Sequence, residues 1–326
     1  MTARPCGRLR TAIVISYLFA GSMLMSVEPA DARSINDATG RTSFTWLKAY
    51  ADAAISSSGE CFAARDGLPA LMVHPAAVAG IESGTVKMSY ASYYVDTQFG
   101  SVGYARRIHD RDVAFRVSYM NYGEFRGRTI NNESTGTFSA GDMAFTVNMG
   151  QVLRDDLKVG IMVTYLSSRI DDFSAQAVTA DVGVLYYPPF EGLTVGAALM
   201  NVGTVLEGYS SGYDETLPVY LSVGARKTLA HAPITLFTDV QFPNDYDITY
   251  AYGLEITVRD RLFLHAGTRS RSTVDREYLK SDTDFGARTT FGFSLELSRY
   301  RFDYAFCPDS DLEDVHKFTL STGILP

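Results

Sequence analysis

Residues 249–260 read TYAYGLEITVRD, and the alternation in this stretch decides the fold. Tyr250, Tyr252, Leu254, Ile256 and Val258 fall on one face of an extended strand. Ala251, Gly253, Glu255, Thr257 and Arg259 fall on the other. Side chains of a strand point to opposite faces with a period of two, so this stretch has one apolar and one polar side. An aqueous domain turns the apolar side inward. A membrane barrel turns it outward to lipid and keeps the polar side in its lumen.

The pattern recurs. Val159, Ile161, Val163 and Tyr165 alternate with Lys158, Gly160, Met162 and Thr164; Val219, Leu221, Val223 and Ala225 with Tyr220, Ser222, Gly224 and Arg226. Phe291, Phe293, Leu295 and Leu297 alternate with Gly292, Ser294 and Glu296, and Tyr300, Phe302, Tyr304 and Phe306 with Arg301, Asp303 and Ala305. Punctuated by turn residues, about 14 such runs follow Gly84. The links after even-numbered runs are short, and the longest, near 123–137, 205–216 and 271–284, all follow odd-numbered runs. Outer-membrane barrels sort their links this way, with short periplasmic turns and longer extracellular loops. The expected fold is therefore all-β: an antiparallel transmembrane β-barrel of about 14 strands over 84–326.

Upstream, Arg4, Arg8 and Arg10 precede an apolar run from Thr11 to Val27, and Ala30-Asp31-Ala32 offers a small-residue cleavage pattern. This reads as a signal peptide over 1–32, the alternative being an uncleaved anchor helix. Residues 33–43 read as a flexible start. Over 44–83, Phe44, Trp46, Leu47, Tyr50, Ala51, Ala54 and Ile55 are spaced like one helix face, and a small-residue, proline-containing stretch follows. This segment is expected to form a short helical hatch or plug, acting either as a static cap or as a gate.

The chain carries a net charge of −8. Without the leader's three Arg and two acids, 26 basic and 35 acidic residues remain, which argues against a nucleic-acid partner. Cys61 and Cys307 would persist in the mature chain, as free thiols or as a pair. The five histidines show no metal-ligand spacing, and no phosphate-binding loop or nucleophile elbow is present, so no cofactor is expected and the chain reads as a non-enzyme. A lipid hydrolase would need a Ser or acid beside His265 or His316, and the sequence names no partner for either.

The polar face of the runs carries Lys87, Arg116, Lys158, Asp181, Arg226, Asp239, Glu255, Glu296, Arg301, Asp303 and Lys317. Inside a barrel these would pair across the lumen or line a wet channel.

YYVDTQFGSVGYARRI at 93–108, SYMNYGEFRG at 118–127 and GTFSAGDMAFTVNMG at 136–150 resemble the PorV/PorQ family of outer-membrane proteins, in detail the PorQ branch. So do 157–189, 192–209 and LPVYLSVGARKTL at 217–229, and RFDYAF at 301–306 is similar to that family's closing hairpin. The family's Asn-Pro-Ala hatch element is represented here by His74-Pro75-Ala76. The resemblance implies a FadL-like barrel in the bacterial outer membrane, a monomer within a larger complex and in contact with outer-membrane lipid. It further implies a scaffold for secreted or surface-attachment proteins of the type IX secretion system. The alternative is a FadL-like transporter of hydrophobic small molecules.

Overall fold

A computed structural model describes residues 42–81, 84–209, 215–270, 289–308 and 313–324. The leader at 1–32, residues 33–41 and the expected link at 271–284 lie outside the described residues. Fourteen strands close into a barrel in which every strand pairs with its sequence neighbours and β1 pairs with β14. They are β1 (Gly84–Ser92), β2 (Gln98–Ile108), β3 (Arg111–Arg128), β4 (Ser134–Arg154), β5 (Leu157–Ile170), β6 (Phe173–Tyr186) and β7 (Leu193–Glu207). The second half comprises β8 (Tyr220–Thr228), β9 (Ile234–Pro243), β10 (Thr249–Arg259), β11 (Leu262–Arg269), β12 (Thr289–Leu297), β13 (Tyr300–Cys307) and β14 (Val315–Ile324). Closure leaves no open sheet edge, which hydrocarbon requires because it offers backbone groups no hydrogen-bond partner.

The apolar faces point outward. Val163, Val223, Tyr250 and Phe291 are all more than 40% exposed, while their strand neighbours Thr164, Ser222, Ala251 and Ser294 are buried against the interior. In water such exposure would cost roughly 25 cal/mol for each Å² of apolar surface, so this outer face needs lipid.

The β3–β4 hairpin departs from expectation. The link placed at 123–137 is mostly strand, because β3 runs for 18 residues and β4 for 21. Their outer ends stand in water on both sides and therefore lose the alternation by which strands are recognised. The pairing shifts register between Asn121 and Glu124, at Gly123, whose φ of +80° suits glycine. This long hairpin marks the extracellular end.

The hatch is less helical than its spacing suggests. It holds one α-helical turn, α1 (Ala53–Ser56), and 3₁₀ turns at Thr45–Lys48 and Pro75–Val78. Ala49 and Asp52 are extended between the first two. The periodic apolar residues do not form one helix face, because in the lumen the segment meets wall on every side and has no solvent face to keep polar. Asp52 stops the extended stretch by accepting from the Ile55 amide at 3.2 Å, a helix N-cap.

Candidate functional site

The hatch threads the lumen from end to end. At the outer end Ser43 N donates to Thr216 O at 2.9 Å. At the inner end Gly80 N donates to Asp112 Oδ2 at 2.7 Å, beside the start of β3. Between these points wall glycines let the hatch backbone press against the sheet. A Cβ on Gly160 would lie 2.1 Å from Pro75 O, one on Gly196 1.9 Å from Ala63 O, and one on Gly267 1.9 Å from Gly59 N. Real side chains cannot occupy those positions, so glycine there is a docking requirement.

The candidate charges of the polar face all lie on lumen-facing positions, but most hold the hatch and few pair across the lumen. Lys87 forms an ion pair with Asp52 and donates to Leu68 O at 2.9 Å and Pro69 O at 2.8 Å. Lys158 meets Asp66 at 2.6 Å, and Glu255 meets Arg65 at 3.5 Å. Asp239 accepts from the amides of Phe62 at 2.7 Å and Ala63 at 2.8 Å. Lys317 donates to Tyr50 O at 2.7 Å and Ser56 Oγ at 2.9 Å, and Arg116 donates to Met72 O. Strand alternation tells which face a charge occupies but not what it meets, so these partners were hidden from the sequence.

The remaining candidates stay within the wall. Arg301 bridges Glu296 at 2.6 Å and Asp303 at 2.8 Å. Asp181 accepts from the Asn201 amide, where β6 and β7 shift register. The Arg226 side chain has no hydrogen-bond or ion-pair partner among the described residues.

His74, Pro75 and Ala76 are fully or almost fully buried beneath β4–β6. The His74 Nδ1 accepts from the Ala76 amide at 3.1 Å, and a Cβ on Gly183 would stand 2.8 Å from its ring. Burial drives the His74 pKa down to about 4, against a lesser opposing pull from Asp66. At neutral pH it is an uncharged packing piece. Cys61, also in the hatch, is a buried free thiol whose pKa burial raises. Cys307 is free too, so the two do not pair.

His265 does find partners that the sequence could not show: Ser294 Oγ lies 2.8 Å from its Nε2, and Glu255 lies 3.6 Å from its Nδ1. This has the outline of a hydrolytic triad but not its hydrogen bonding. The Ser294 hydroxyl donates to Asp303 at 2.5 Å and accepts from Arg301 at 2.9 Å, so its proton is not offered to the imidazole. Ser294 is also fully buried. Among the described residues the His316 side chain has one hydrogen-bond partner, the Tyr304 hydroxyl at 2.9 Å, and its ring lies against Phe306.

Above the clamp, at the outer end, lies an open cavity of about 430 Å³. Phe44 and Trp46 of the hatch form one side; Tyr122, Phe125, Phe138, Ala140 and Ile170 of β3–β5 form the other. Phe125 and Phe138 stack with centroids 5.4 Å apart. The polar lining groups are Thr45, Asp142, Ser168 and Tyr209, together with the Tyr122 hydroxyl. The cavity has the size and apolar character of a small-molecule site.

No family model and no curated protein matches the chain. Solved structures do. The Pseudomonas putida toluene transporter TodX superposes with a TM-score of 0.62 at 10% identity, covering 86% of this chain and 100% of that one. The Ralstonia pickettii toluene transporter TbuX gives 0.59 at 13% identity, covering 86% and 99%. The monoaromatic hydrocarbon channel CymD gives 0.56 at 10% identity, covering 84% and 98%. The chain shares with them the fold of an outer-membrane barrel, here fourteen antiparallel strands closed on themselves. These neighbours are channels, not enzymes, and they lend no support to the PorV/PorQ resemblance.

Proposed function

We propose that this protein is an outer-membrane channel for hydrophobic small molecules, gated by residues 44–80. The aromatic cavity beside the start of the hatch carries the reading. A transporter needs an apolar landing site next to its gate, and the cavity places Phe44 and Trp46 of the gate in that site. The neighbours described as toluene transporters are consistent with cargo of this class. Below the cavity the ion-paired hatch fills the lumen, so passage requires the hatch to shift.

The test is uptake of radiolabelled toluene by cells whose outer membrane carries this barrel, against cells carrying an empty vector. Faster uptake at low external concentration supports the reading; equal rates with the folded barrel present refute it.

A second reading is a closed scaffold for secreted or surface proteins of a type IX pathway. The firmness of the clamp favours it, since a scaffold has no need of a passage. Crosslinking through the outer ends of β3 and β4 and the link between β7 and β8 would then capture an exported protein, and uptake would match the vector control.

A further inference from the structure

The inner rim of the barrel carries arginines on the lipid side of its wall. Along β2 and β3 the exposed Val102, Phe115 and Val117 mark the lipid face, and Arg106 and Arg111 continue the same alternation. Arg106 pairs with Val113 and Ile108 with Arg111, so the two arginines are diagonal neighbours on adjacent strands, about 7–8 Å apart. Both are exposed. Arg111 donates to Gln151 Oε1 through one nitrogen, and the Arg106 side chain has no hydrogen-bond or ion-pair partner among the described residues. Asp112, next to Arg111, faces the lumen, where it accepts from Arg107 at 2.7 Å and from the Gly80 amide. Farther round the rim the placement recurs. Thr257 pairs with Phe263 but Arg259 with Leu262, so a bulge at Val258 moves Arg259 from the polar face, where alternation put it, to the lipid face of Leu262 and Leu264. Arg299 lies over the outward ring of Tyr300, 5.2 Å from its centroid, and donates to its hydroxyl at 3.2 Å. All four arginines flank short turns, the kind that faces the periplasm.

We propose that these outward arginines, Arg106 and Arg111 foremost, bind the phosphate of an anionic phospholipid in the periplasmic leaflet of the outer membrane. A guanidinium presents parallel N–H donors that match two phosphate oxygens, and two such forks at diagonal spacing converge on one headgroup. The same face supplies Ile108 and Val113 beside the pair, and Leu262 and Tyr300 beside Arg259 and Arg299, as seats for the acyl chains. That combination fits a lipid. A soluble acid approaching from the periplasm would meet the turns and gain nothing from side chains set sideways among apolar neighbours. The site concerns how the barrel is held in its membrane, so it applies to a channel and to a scaffold alike.

The purified full-length barrel in neutral detergent is titrated with dioleoylphosphatidylglycerol and with dioleoylphosphatidylcholine, and bound lipid is counted by native mass spectrometry. An arginine near an anionic lipid surface strengthens binding about fivefold, so the pair should favour the glycerol lipid by roughly thirtyfold. In Arg106→Gln/Arg111→Gln the two lipids should come within about threefold of each other, with heat-modifiable gel migration showing that the barrel is folded. Arg126→Gln/Arg128→Gln removes the same charge from the exposed outer end of β3 and should keep the preference. Equal affinity of the wild-type barrel for the two lipids overturns the proposal, as does a preference that survives in the folded inner double variant. A preference lost equally in the outer variant would show an effect of net charge alone and also overturns it. Glycerol 3-phosphate in large excess should not displace the lipid; displacement would assign the arginines to a soluble anion instead.

Discussion

Replacing Lys87 by methionine should unseat the hatch without unfolding the barrel. In the seated state the Lys87 ammonium neutralises Asp52 and caps the carbonyls of Leu68 and Pro69, and both charged side chains are almost fully buried. Methionine fills much the same volume but leaves a carboxylate and two carbonyls without their donor. Removing one member of a buried pair costs about 3–5 kcal/mol. Asp52 keeps one partner, the Ile55 amide, which argues for the lower end of that range. In the shifted state these groups reach water, so the loss falls on the seated state alone. At 1.4 kcal/mol per factor of ten, the unseated population rises roughly 10²- to 10³-fold.

Cys61 reads that population directly. It is 1% exposed, lies in the hatch and is free, so a maleimide reaches it only when the hatch moves. The assay is the labelling rate in a Cys307→Ser background, with barrel integrity followed by heat-modifiable gel migration. The control is Glu296→Gln, which loosens Arg301 within the wall and touches no hatch residue. An increase of 10²-fold or more in Lys87→Met, with no change in the control, supports the clamp. A rate within a factor of three of the parent would show that Lys87 does not hold the hatch.

Gly160→Val should unseat the hatch by sterics alone and raise Cys61 labelling, since its Cβ would enter Pro75 O, whereas Gly100→Val on the outer face, with nothing nearer than 3.9 Å, should behave as the parent. His74 is held neutral with a pKa of about 4 against roughly 6.5 in the unseated chain, so the unseated form binds more protons below pH 6.5. Hatch stability should be flat above pH 6.5 and fall by about 2 kcal/mol on reaching pH 5, seen as faster hydrogen exchange in 53–80 after correction for intrinsic rates and abolished in His74→Gln. Val163→Arg places a charge on the lipid face and should cost about 2–4 kcal/mol in equilibrium folding into vesicles; a value near zero would contradict the outward orientation of that face.

The barrel was legible because lipid imposes a rule on every residue of a spanning strand. Val223 must be apolar and Ser222 need not be, and the contrast repeats wherever hydrocarbon touches the wall. The rule lapses where the strand leaves the membrane: in the outer parts of β3 and β4, Glu124, Arg126 and Gly127 stand in water, and a sequence without alternation reads there as a loop. It lapses again in the hatch. A segment enclosed on all sides has no polar face, so the spacing of Phe44 to Ile55 carried no information about helicity. The His265–Ser294 contact was hidden for a different reason, since it joins adjacent strands through a register that no single sequence discloses.

One signal for the site was present in the sequence but unread. Gly160 and Gly183 sit on the polar face of β5 and β6, directly opposite each other, and Gly150 pairs with Gly160 from β4. Glycine weakens a strand and has no side chain to fill a lumen, so three neighbours at one height mark a place where another backbone comes close. The charges Lys87, Lys158 and Asp239 then acquire a different meaning from the one their alternation suggested. A lumen lined by mutually paired ions would be either a rigid core or a wet pore. A lumen in which glycines admit a segment and ions grip it is a socket, and a socket can be vacated. The wall's own bridges, from Arg301 to Glu296 and Asp303, involve no hatch residue, so they would survive that departure and the barrel would keep its shape. The proposed gating requires this division of labour between charges that hold the wall and charges that hold the hatch.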